Sequence, residues 1–214
     1  MTGPGNDLGD LTAAVERGDA MAAATLTRAA MDRHVDTSTI LGALMAAMEH
    51  IGADFQANVI FVPEMLVAAR AMKVAMALLE PLLVDAGIEP EHTAVIGTIQ
   101  GDLHDIGKNL VGMMWKGANI RVIDLGTDVR PARFVEAVRE HDARIVGISA
   151  LLTTTMVNMR GAVEAVHAAY GDGRVRVVIG GAPVTAEFAA HIGADAFAPD
   201  AGAAVDVVKR LLAS

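Results

Sequence analysis

A histidine flanked by carboxylates follows a strongly apolar segment near the middle of the chain. The stretch Gly-Asp-Leu-His-Asp-Ile-Gly occupies residues 101–107, directly after the apolar run at 93–99. The run predicts a β-strand, and the glycine-bounded stretch predicts a turn that leads into a helix. Ligands of open α/β sheets bind outside the carboxyl ends of the strands. Because Asp102 can orient the ring and raise its basicity, we predict that His104 is presented outward as a ligand.

The same residues also allow a purely structural interpretation. Asp102 can cap the helix that follows the turn, and Gly107 can allow that helix to approach closely. The other histidines lie on predicted helix surfaces or at the ends of elements, where solvated side chains are usual. They are His34, His50, His92, His141, His167 and His191. His104 is therefore the candidate ligand, and helix capping by Asp102 stays open as the alternative.

The sequence does not support a metal site built from protein ligands alone. Zinc and iron sites need three or four protein ligands, but the chain has no cysteine. The other loops at the predicted sheet edge also contain no second histidine. His104 would then be a single ligand to a metal whose other ligands come from elsewhere, such as a macrocycle. This narrows the prediction to tetrapyrrole-type cofactors, including haem, although haem proteins usually hold the ring between helices.

Charge and composition argue against several classes of partner. The 214 residues carry a formal net charge of -9 without a lysine and arginine cluster, which disfavours nucleic acid and anionic membranes. Mean hydropathy is +0.41, but charged residues interrupt every apolar run before it reaches the roughly 18 residues of a membrane span. The N-terminus lacks the pattern of a signal peptide. We expect a soluble, cytoplasmic protein.

The elements that must position His104 fall into two regions. Before residue 88 the apolar periodicity is helical, at residues 8–17, 20–34, 37–51 and 63–86. Four helices with short connections predict an antiparallel four-helix bundle. We therefore assign residues 1–88 to a helical domain and residues 89–214 to a second domain.

The second region alternates between strands and helices. The strands are predicted at residues 93–99, 120–125, 144–149, 175–179 and 194–198. The helices are predicted at residues 106–116, 131–141, 154–169, 185–191 and 201–212. Such alternation implies a parallel sheet covered by helices on both faces. The fold class is α/β, with the bundle followed by a flavodoxin-like (Rossmann-like) doubly wound five-stranded parallel sheet.

Small and polar residues follow the other predicted strands. Ser-Ala-Leu-Leu-Thr-Thr-Thr occupies residues 149–155, Gly180-Gly181 ends the fourth strand, and Asp200 follows the fifth. Glycine lets a ligand lie against the backbone, although ordinary turn formation explains a glycine pair equally well. Together these loops describe a slot in the sheet edge that suits a long, flat appendage of a cofactor.

These residues carry a family resemblance. The order Asp102-x-His104-x-x-Gly107, Ser149-x-Leu151 and Gly180-Gly181 resembles the signature of base-off, His-on cobalamin-binding domains. The bundle resembles the helical cap of methionine synthase and of the small corrinoid proteins of methyltransferase systems. The resemblance implies that cobalamin is the cofactor and that His104 replaces its benzimidazole base as lower axial ligand. It also implies that Asp102 accepts the other ring N–H and that Thr155 completes the relay.

The resemblance extends to the residues that would contact the cofactor. In the sheet domain they are Gly101, Asp102, Leu103, His104, Asp105, Ile106, Gly107, Ser149, Leu151, Thr153, Thr155, Gly180, Gly181, Asp200 and Ala201. In the cap, the residues that would shield the upper face of the corrin are Phe55, Phe61, Val62 and Met65. Val62 and Met65 fit the bundle core equally well. A glutamate that contacts the cofactor in methionine synthase corresponds to Leu41, and residues 56–60 lack the family's charged, glycine-rich turn.

The resemblance implies a methyl carrier, a non-catalytic corrinoid subunit, because the chain has no substrate-binding barrel of its own. Its corrinoid would alternate between Co(I) and methylcobalamin, the Co(III) form, and protonation of the Asp102–His104 pair would accompany loss of the histidine ligand. The expected partners are a substrate:corrinoid methyltransferase, a corrinoid:acceptor methyltransferase and a corrinoid-reactivating protein. The cap would swing aside at the linker 89–91 to expose the cofactor.

A cobalamin-dependent light or ligand sensor is the main alternative. In the light-sensing relatives a tryptophan and a Glu-His pair lie over the cobalt, whereas this chain has Phe55 and Glu64-Met65 at the corresponding positions. An adenosylcobalamin mutase subunit would share the histidine loop, but such subunits generally lack the four-helix cap. A phosphorelay receiver is excluded, because Ser149 stands where its phosphoacceptor aspartate is needed.

Overall fold

The computed structural model describes residues 4–171 and 173–213. They form two compact units, the first reaching Pro90 and the second beginning at Glu91, with Gly117–Asn119 grouped with the first. The outermost residues of the two predicted domains, 1–3 and Ser214, lie outside the described residues. In the described ranges, no helix is both long enough and apolar enough to cross a membrane.

The first unit is a bundle of four helices. They are α1 Pro4–Glu16, α2 Ala20–Asp32, α3 Thr37–Gln56 and α4 Val62–Asp85. Asp19 accepts a hydrogen bond from the Ala22 amide at the start of α2, and Asp36 accepts one from the Thr39 amide in α3. These caps satisfy amides that the helices themselves leave unpaired. Helix α1 packs against α2 and α3, and α4 packs against the same two helices.

Small side chains let these helices pack closely. The wholly buried alanines of the unit are Ala14, Ala23, Ala47, Ala68, Ala71 and Ala75. Longer side chains fill the space between them, and the largest fully buried ones are Leu11, Ile40, Leu44, Met65 and Leu79. The interior therefore gains its apolar burial from many aliphatic contacts, which explains how a chain with 3% aromatic residues builds this core.

The second unit is a parallel sheet flanked by helices. Its strands are β1 Thr93–Thr98, β2 Arg121–Asp124, β3 Ile145–Ser149, β4 Arg176–Gly180 and β5 Ala196–Ala198. Its helices are α5 Ile106–Gly117, α6 Pro131–His141, α7 Thr153–Tyr170, α8 Ala186–Ile192 and α9 Ala201–Leu212. The strand order is β2-β1-β3-β4-β5, and every pair is parallel. Across the described residues, the predicted bundle and doubly wound five-stranded sheet are confirmed.

Both faces of the sheet are covered. On one face, Phe134 of α6, Val163 of α7 and Ile192 of α8 join Val95 and Val177 of the strands in a single buried cluster. On the other face, Trp115 of α5 lies over β3, where a Cβ atom on Gly147 would stand 2.7 Å from its ring. Strands covered on both sides are continuously apolar, which is the pattern that the sequence shows.

A half-buried ion cluster joins three elements at the amino end of the sheet. Asp195, just before β5, accepts hydrogen bonds from His167 of α7 (2.9 Å), from Arg176 (3.0 Å) and from the Val177 amide (2.7 Å). Burial would raise the pKa of Asp195, but the Val177 amide and the His167 and Arg176 side chains outweigh it and lower the pKa. The carboxylate is therefore stabilised in the folded state.

We expect Asp195→Asn to destabilise the second unit by about 2 kcal/mol near neutral pH, because an amide cannot accept from all three donors. Since folding lowers the pKa of Asp195, its contribution is complete above the unfolded pKa of about 4 and is lost as the pH falls below that value. Urea unfolding followed by the fluorescence of Trp115, the sole tryptophan, measures the difference at each pH.

The matched control is Asp142→Asn, since Asp142 is 94% exposed and lies 3.7 Å from its partner Arg174. Exposed pairs contribute little, so we expect this variant to stay within about 0.5 kcal/mol of wild type. Equal stability of Asp195→Asn and wild type, or a deficit that persists unchanged into acid, would contradict the assigned role of the cluster.

Candidate functional site

Four strand ends lie in one row at the carboxyl edge of the sheet. Thr98 of β1 pairs with Ser149 of β3, Ser149 with Gly180 of β4, and Gly180 with Ala198 of β5. Buried faces fix this register, because a slip of one residue would turn every side chain to the opposite face. The loops that follow these strands, including the loop that carries His104, therefore emerge side by side.

Asp102 is a fully buried carboxylate at this edge. Its Oδ1 accepts hydrogen bonds from the amide (3.1 Å) and the ring Nδ1 (2.7 Å) of His104. Its Oδ2 accepts from the amides of Leu151 (2.8 Å) and Leu152 (3.1 Å) and from the Thr155 hydroxyl (2.8 Å). A buried charge is costly unless it is paired and hydrogen-bonded, and five donors compensate this one. Asp102 thereby joins the β1 loop to the start of α7.

These donors keep Asp102 ionised. Burial would raise its pKa, but the hydrogen bonds from the His104 backbone and ring, the Leu151 amide and Thr155 outweigh burial and hold the pKa far below its ordinary value. A carboxylate can only accept, so Nδ1 of a neutral His104 ring carries the proton. Nε2 then keeps its lone pair, which is the tautomer that a metal-binding histidine needs.

The alternative of helix capping by Asp102 is not what the structure shows. Among the described residues, the donors to Asp102 are loop amides, the His104 ring and Thr155, and none lies in the first turn of α5. The Thr155 hydroxyl also lies 2.8 Å from the Leu152 carbonyl. One proton serves one acceptor at a time, and the charged carboxylate is the stronger of the two.

Further contacts that the sequence did not predict hold the His104 loop from both sides. The Thr98 hydroxyl donates to the His104 carbonyl (2.9 Å), and the Asn158 side chain of α7 donates to the Gln100 carbonyl (3.0 Å). The amide of Leu152 was missed as well, because a backbone donor carries no signature in the side-chain sequence. Thr98 is fully buried at its strand end, and the sequence did not reveal its contact, because the partner is a backbone carbonyl.

Large apolar side chains surround the histidine in sequence and stand exposed. Leu103 is 73% exposed and Ile106 is 75% exposed, and Leu151 and Leu152 are each more than 40% exposed. Their loops are the same ones that hold Asp102. An exposed apolar surface of this kind marks a binding site. Because the His104 side chain is 52% exposed among them, the edge offers one imidazole nitrogen on an apolar surface.

Gly107 leaves open space on the first turn of α5. A Cβ atom placed there would meet no other atom within 4 Å. The predicted close approach of the helix is therefore absent, because Gly107 lies on the exposed side of that turn. The missing side chain leaves room for a ligand instead.

The two glycines after β4 are explained by close contacts with neighbouring backbone. A Cβ atom on Gly180 would stand 2.9 Å from the Ala198 carbonyl oxygen. One on Gly181, whose φ is +129°, would overlap the Ala150 carbonyl. The protein's own backbone thus requires both glycines, so their presence alone does not indicate a ligand.

The remaining predicted residues take several environments at this edge. Asp200 caps α9 by accepting the Ala203 amide (2.8 Å), and Ala201 is buried behind it. Ser149 and Asp105 are half-buried and Thr153 is exposed. Gly101 has a φ of +87°, a left-handed conformation that glycine adopts without strain.

The predicted cap residues differ in accessibility within the first unit. Phe61 is 62% exposed, and Phe55 and Val62 are half-buried. Met65 is wholly buried, and Leu41 is buried as well. For Met65 the structure favours the alternative of a core residue, because a side chain without exposed surface offers none to a ligand in this conformation.

Two family models, each described as a B12 binding domain, match residues 92–208 and residues 8–80. The chain is 41% identical over 170 residues to dimethylamine corrinoid protein 3 of Methanosarcina acetivorans, covering 79% of each chain. It is 41% identical over 169 residues to trimethylamine corrinoid protein 2 of Methanosarcina mazei, covering 78% of each. Among solved structures, a cobalamin-binding protein from Desulfitobacterium hafniense DCB-2 is similar, with 30% identity, a TM-score of 0.81 and coverage of 95% of this chain and 98% of that chain.

We expect Asp102→Asn to destabilise the protein, measured without any cofactor, by about 2–4 kcal/mol, because the amide group would face donors that then lack an acceptor. Urea unfolding monitored through Trp115 measures the loss. Asp105→Asn is the control, since the neighbouring Asp105 side chain makes no hydrogen bond with the described residues, and it should stay within about 0.5 kcal/mol of wild type. Wild-type stability of Asp102→Asn would show that the five contacts do not hold the site.

Proposed function

This chain belongs to the B12 binding domain family, and on that premise we propose that it is a corrinoid methyl-carrier protein. Cobalamin is its cofactor. In the proposal, cobalamin binds base-off with His104 as the lower ligand of cobalt. The carrier receives a methyl group at one methyltransferase, which is specific for the donor, and delivers it at a second one, which serves the acceptor.

The observation that carries the proposal is the state of the His104 ring. Its Nδ1 is bound to a buried carboxylate, and its Nε2 makes no hydrogen bond with the described residues. The residues around it fit a corrin. Leu103 and Ile106 offer an apolar surface to one face of a flat ring, and Gly107 leaves space for it. A single protein nitrogen suffices, because the corrin supplies the equatorial ligands itself.

The protein residues would control the position and protonation of the imidazole. When bound, the cobalt supplies the chemistry, since it takes a methyl group as a cation equivalent and keeps the bonding electron pair when the group departs. Asp102 and Thr155 orient the ring and hold the proton on Nδ1. With Nε2 unbound, the ring would be able to take up a proton at that atom, and Asp102 would stabilise the resulting cation. The exposed leucines and Ile106 would exclude water from this side of the ring.

The two units would divide the remaining tasks. We assign residues 1–88 to a cap whose Phe55, Phe61 and Val62 shield the upper face, and residues 89–214 to the corrinoid-binding domain. Substrate activation is assigned to partner methyltransferases, and reductive rescue to a corrinoid-reactivating protein, all in the cytoplasm. Relatives of nearly equal identity carry the names of different amines, which supports a donor specificity that lies in the partner.

The test is methyl transfer to the protein loaded with cobalamin and reduced to the Co(I) state. Each candidate methyltransferase is added with its donor, and absorbance spectra follow the formation of bound methylcobalamin. We expect transfer with one donor system and a second transfer to an acceptor. His104→Ala should lose the His-on spectrum, whereas His141→Ala, a change at an exposed histidine of α6, should retain it.

The methyl-carrier function would be contradicted if no methyltransferase formed methylcobalamin on the protein. A light-dependent change in oligomeric state in the same protein would then identify a sensor. An unchanged His-on spectrum in His104→Ala would contradict the assignment of the ligand.

A second prediction separates cofactor binding from folding. We expect Gly107→Leu to block cobalamin binding, because its side chain would occupy the open space over α5. It should leave the stability of the cofactor-free protein unchanged or raise it by up to about 1 kcal/mol, since leucine is the better helix former. Gly161→Leu is the control, because a Cβ atom on Gly161 in α7 also meets nothing within 4 Å. Equilibrium dialysis and urea unfolding measure the two effects, and tight binding by Gly107→Leu would contradict the placement of the corrin.

A further inference from the structure

The loop between β2 and α6 holds the turn that carries Asp102. Asp128 in this loop accepts the Gly101 amide on its Oδ1 (2.7 Å) and donates its own amide to the Asp102 carbonyl (3.0 Å). Two adjacent residues of the turn are thus bound by two groups of one residue. A shift of the turn relative to Asp128 would break both contacts together.

The same loop continues along β1. The Thr98 amide donates to the Gly126 carbonyl (2.9 Å), and the Val129 amide donates to the Thr98 carbonyl (2.9 Å). The hydroxyl of Thr98 in turn donates to the carbonyl of His104 (2.9 Å). The loop therefore contacts Thr98 and Gly101, which precede Asp102, as well as Asp102 itself.

An ion pair between a buried lysine and an exposed aspartate fixes the other end of this loop. Lys108 of α5 has a side chain only 1% exposed, and its Nζ lies 2.6 and 2.7 Å from the two carboxylate oxygens of Asp124 at the end of β2. Asp124 also accepts the Gly126 amide (2.9 Å). A buried lysine is stable only when it is paired, so Asp124 is held in place and the loop begins from a fixed point.

The conformation of Asp128 is a demanding one. Its φ is +55°, in the left-handed region that few residues other than glycine, asparagine and aspartate adopt. An exposed residue gains nothing from burial, so the contacts to Gly101 and Asp102 are what hold it there.

We propose that Asp128 is a positioning residue for the axial histidine, which it controls through the turn at Gly101–Asp102. The inference rests on the proposed function, in which His104 binds cobalt. Asp102 sets the direction of the His104 ring, and Asp128 sets the place of Asp102. Loss of an outer contact of this kind weakens metal binding about tenfold or more, since a small displacement of the ring moves Nε2 off the metal.

The test compares Asp128→Gly with Asp128→Asn. Glycine adopts the left-handed conformation but has no acceptor, whereas asparagine keeps both the conformation and an oxygen for the Gly101 amide. We expect Asp128→Gly to lower the affinity for cobalamin about tenfold and to weaken the histidine nitrogen splitting in the electron paramagnetic resonance spectrum of the Co(II) form. Asp128→Asn should keep both the affinity and the splitting of the wild-type protein. Thr127→Gly adds the same flexibility one residue away and should resemble wild type.

A readout without the cofactor keeps this inference distinct from the proposed function. In the cofactor-free protein, nuclear magnetic resonance should show faster exchange of the Gly101 amide and the His104 Nδ1 proton in Asp128→Gly than in Asp128→Asn. Unchanged exchange and unchanged splitting in Asp128→Gly would overturn the inference, as would equal damage from Thr127→Gly. A wild-type protein without nitrogen splitting would refute the proposed function and, with it, the action on an axial ligand.

Discussion

The buried charge of Asp102 is the constraint on which the rest of the site depends. A carboxylate without solvent must find donors, and here they come from the His104 loop and from the start of α7. Those two segments are brought together by the parallel register of β1 and β3. Because one oxygen is committed to His104 and the other to α7, the direction of the imidazole follows from satisfying the charge. The sheet, the loop and the ring tautomer are thus parts of one arrangement.

Some glycines at this edge are required by the protein's own packing, and one is not. Only a glycine that the packing does not require can indicate where a ligand lies. Gly180 and Gly181 are required by the approach of neighbouring backbone carbonyls. Gly107 has no such neighbour, so its missing side chain is not explained by the contacts of the fold. The open space beside an imidazole and exposed aliphatic side chains is what a broad, flat ring would need. The proposed position of the corrin therefore rests on Gly107 and its exposed neighbours, and not on the glycine pair after β4.

The general architecture was accessible from the sequence because it depends on periodicity and on alternation. Apolar strands separated by amphipathic helices predicted the doubly wound sheet. The motif singled out Asp102 and His104, and the family resemblance added Thr155. The contacts of Thr98, Leu152 and Asp128 were not accessible, since they involve backbone groups or residues distant in sequence. The burial of Met65 was also left open, because an apolar residue at a helical position suits a core and a ligand surface equally. A sequence motif therefore identifies the residues that can carry chemistry, whereas the packing of the fold determines which of their side chains a ligand can reach.

The most direct test of histidine ligation is electron paramagnetic resonance of the Co(II) protein, prepared with 15N-histidine and an unlabelled corrinoid. Nitrogen from His104 would change the splitting from the triplet of 14N to the doublet of 15N, and we expect this change in full. A triplet that persists after labelling would mean that the axial nitrogen belongs to the cofactor's own base, and it would contradict the account.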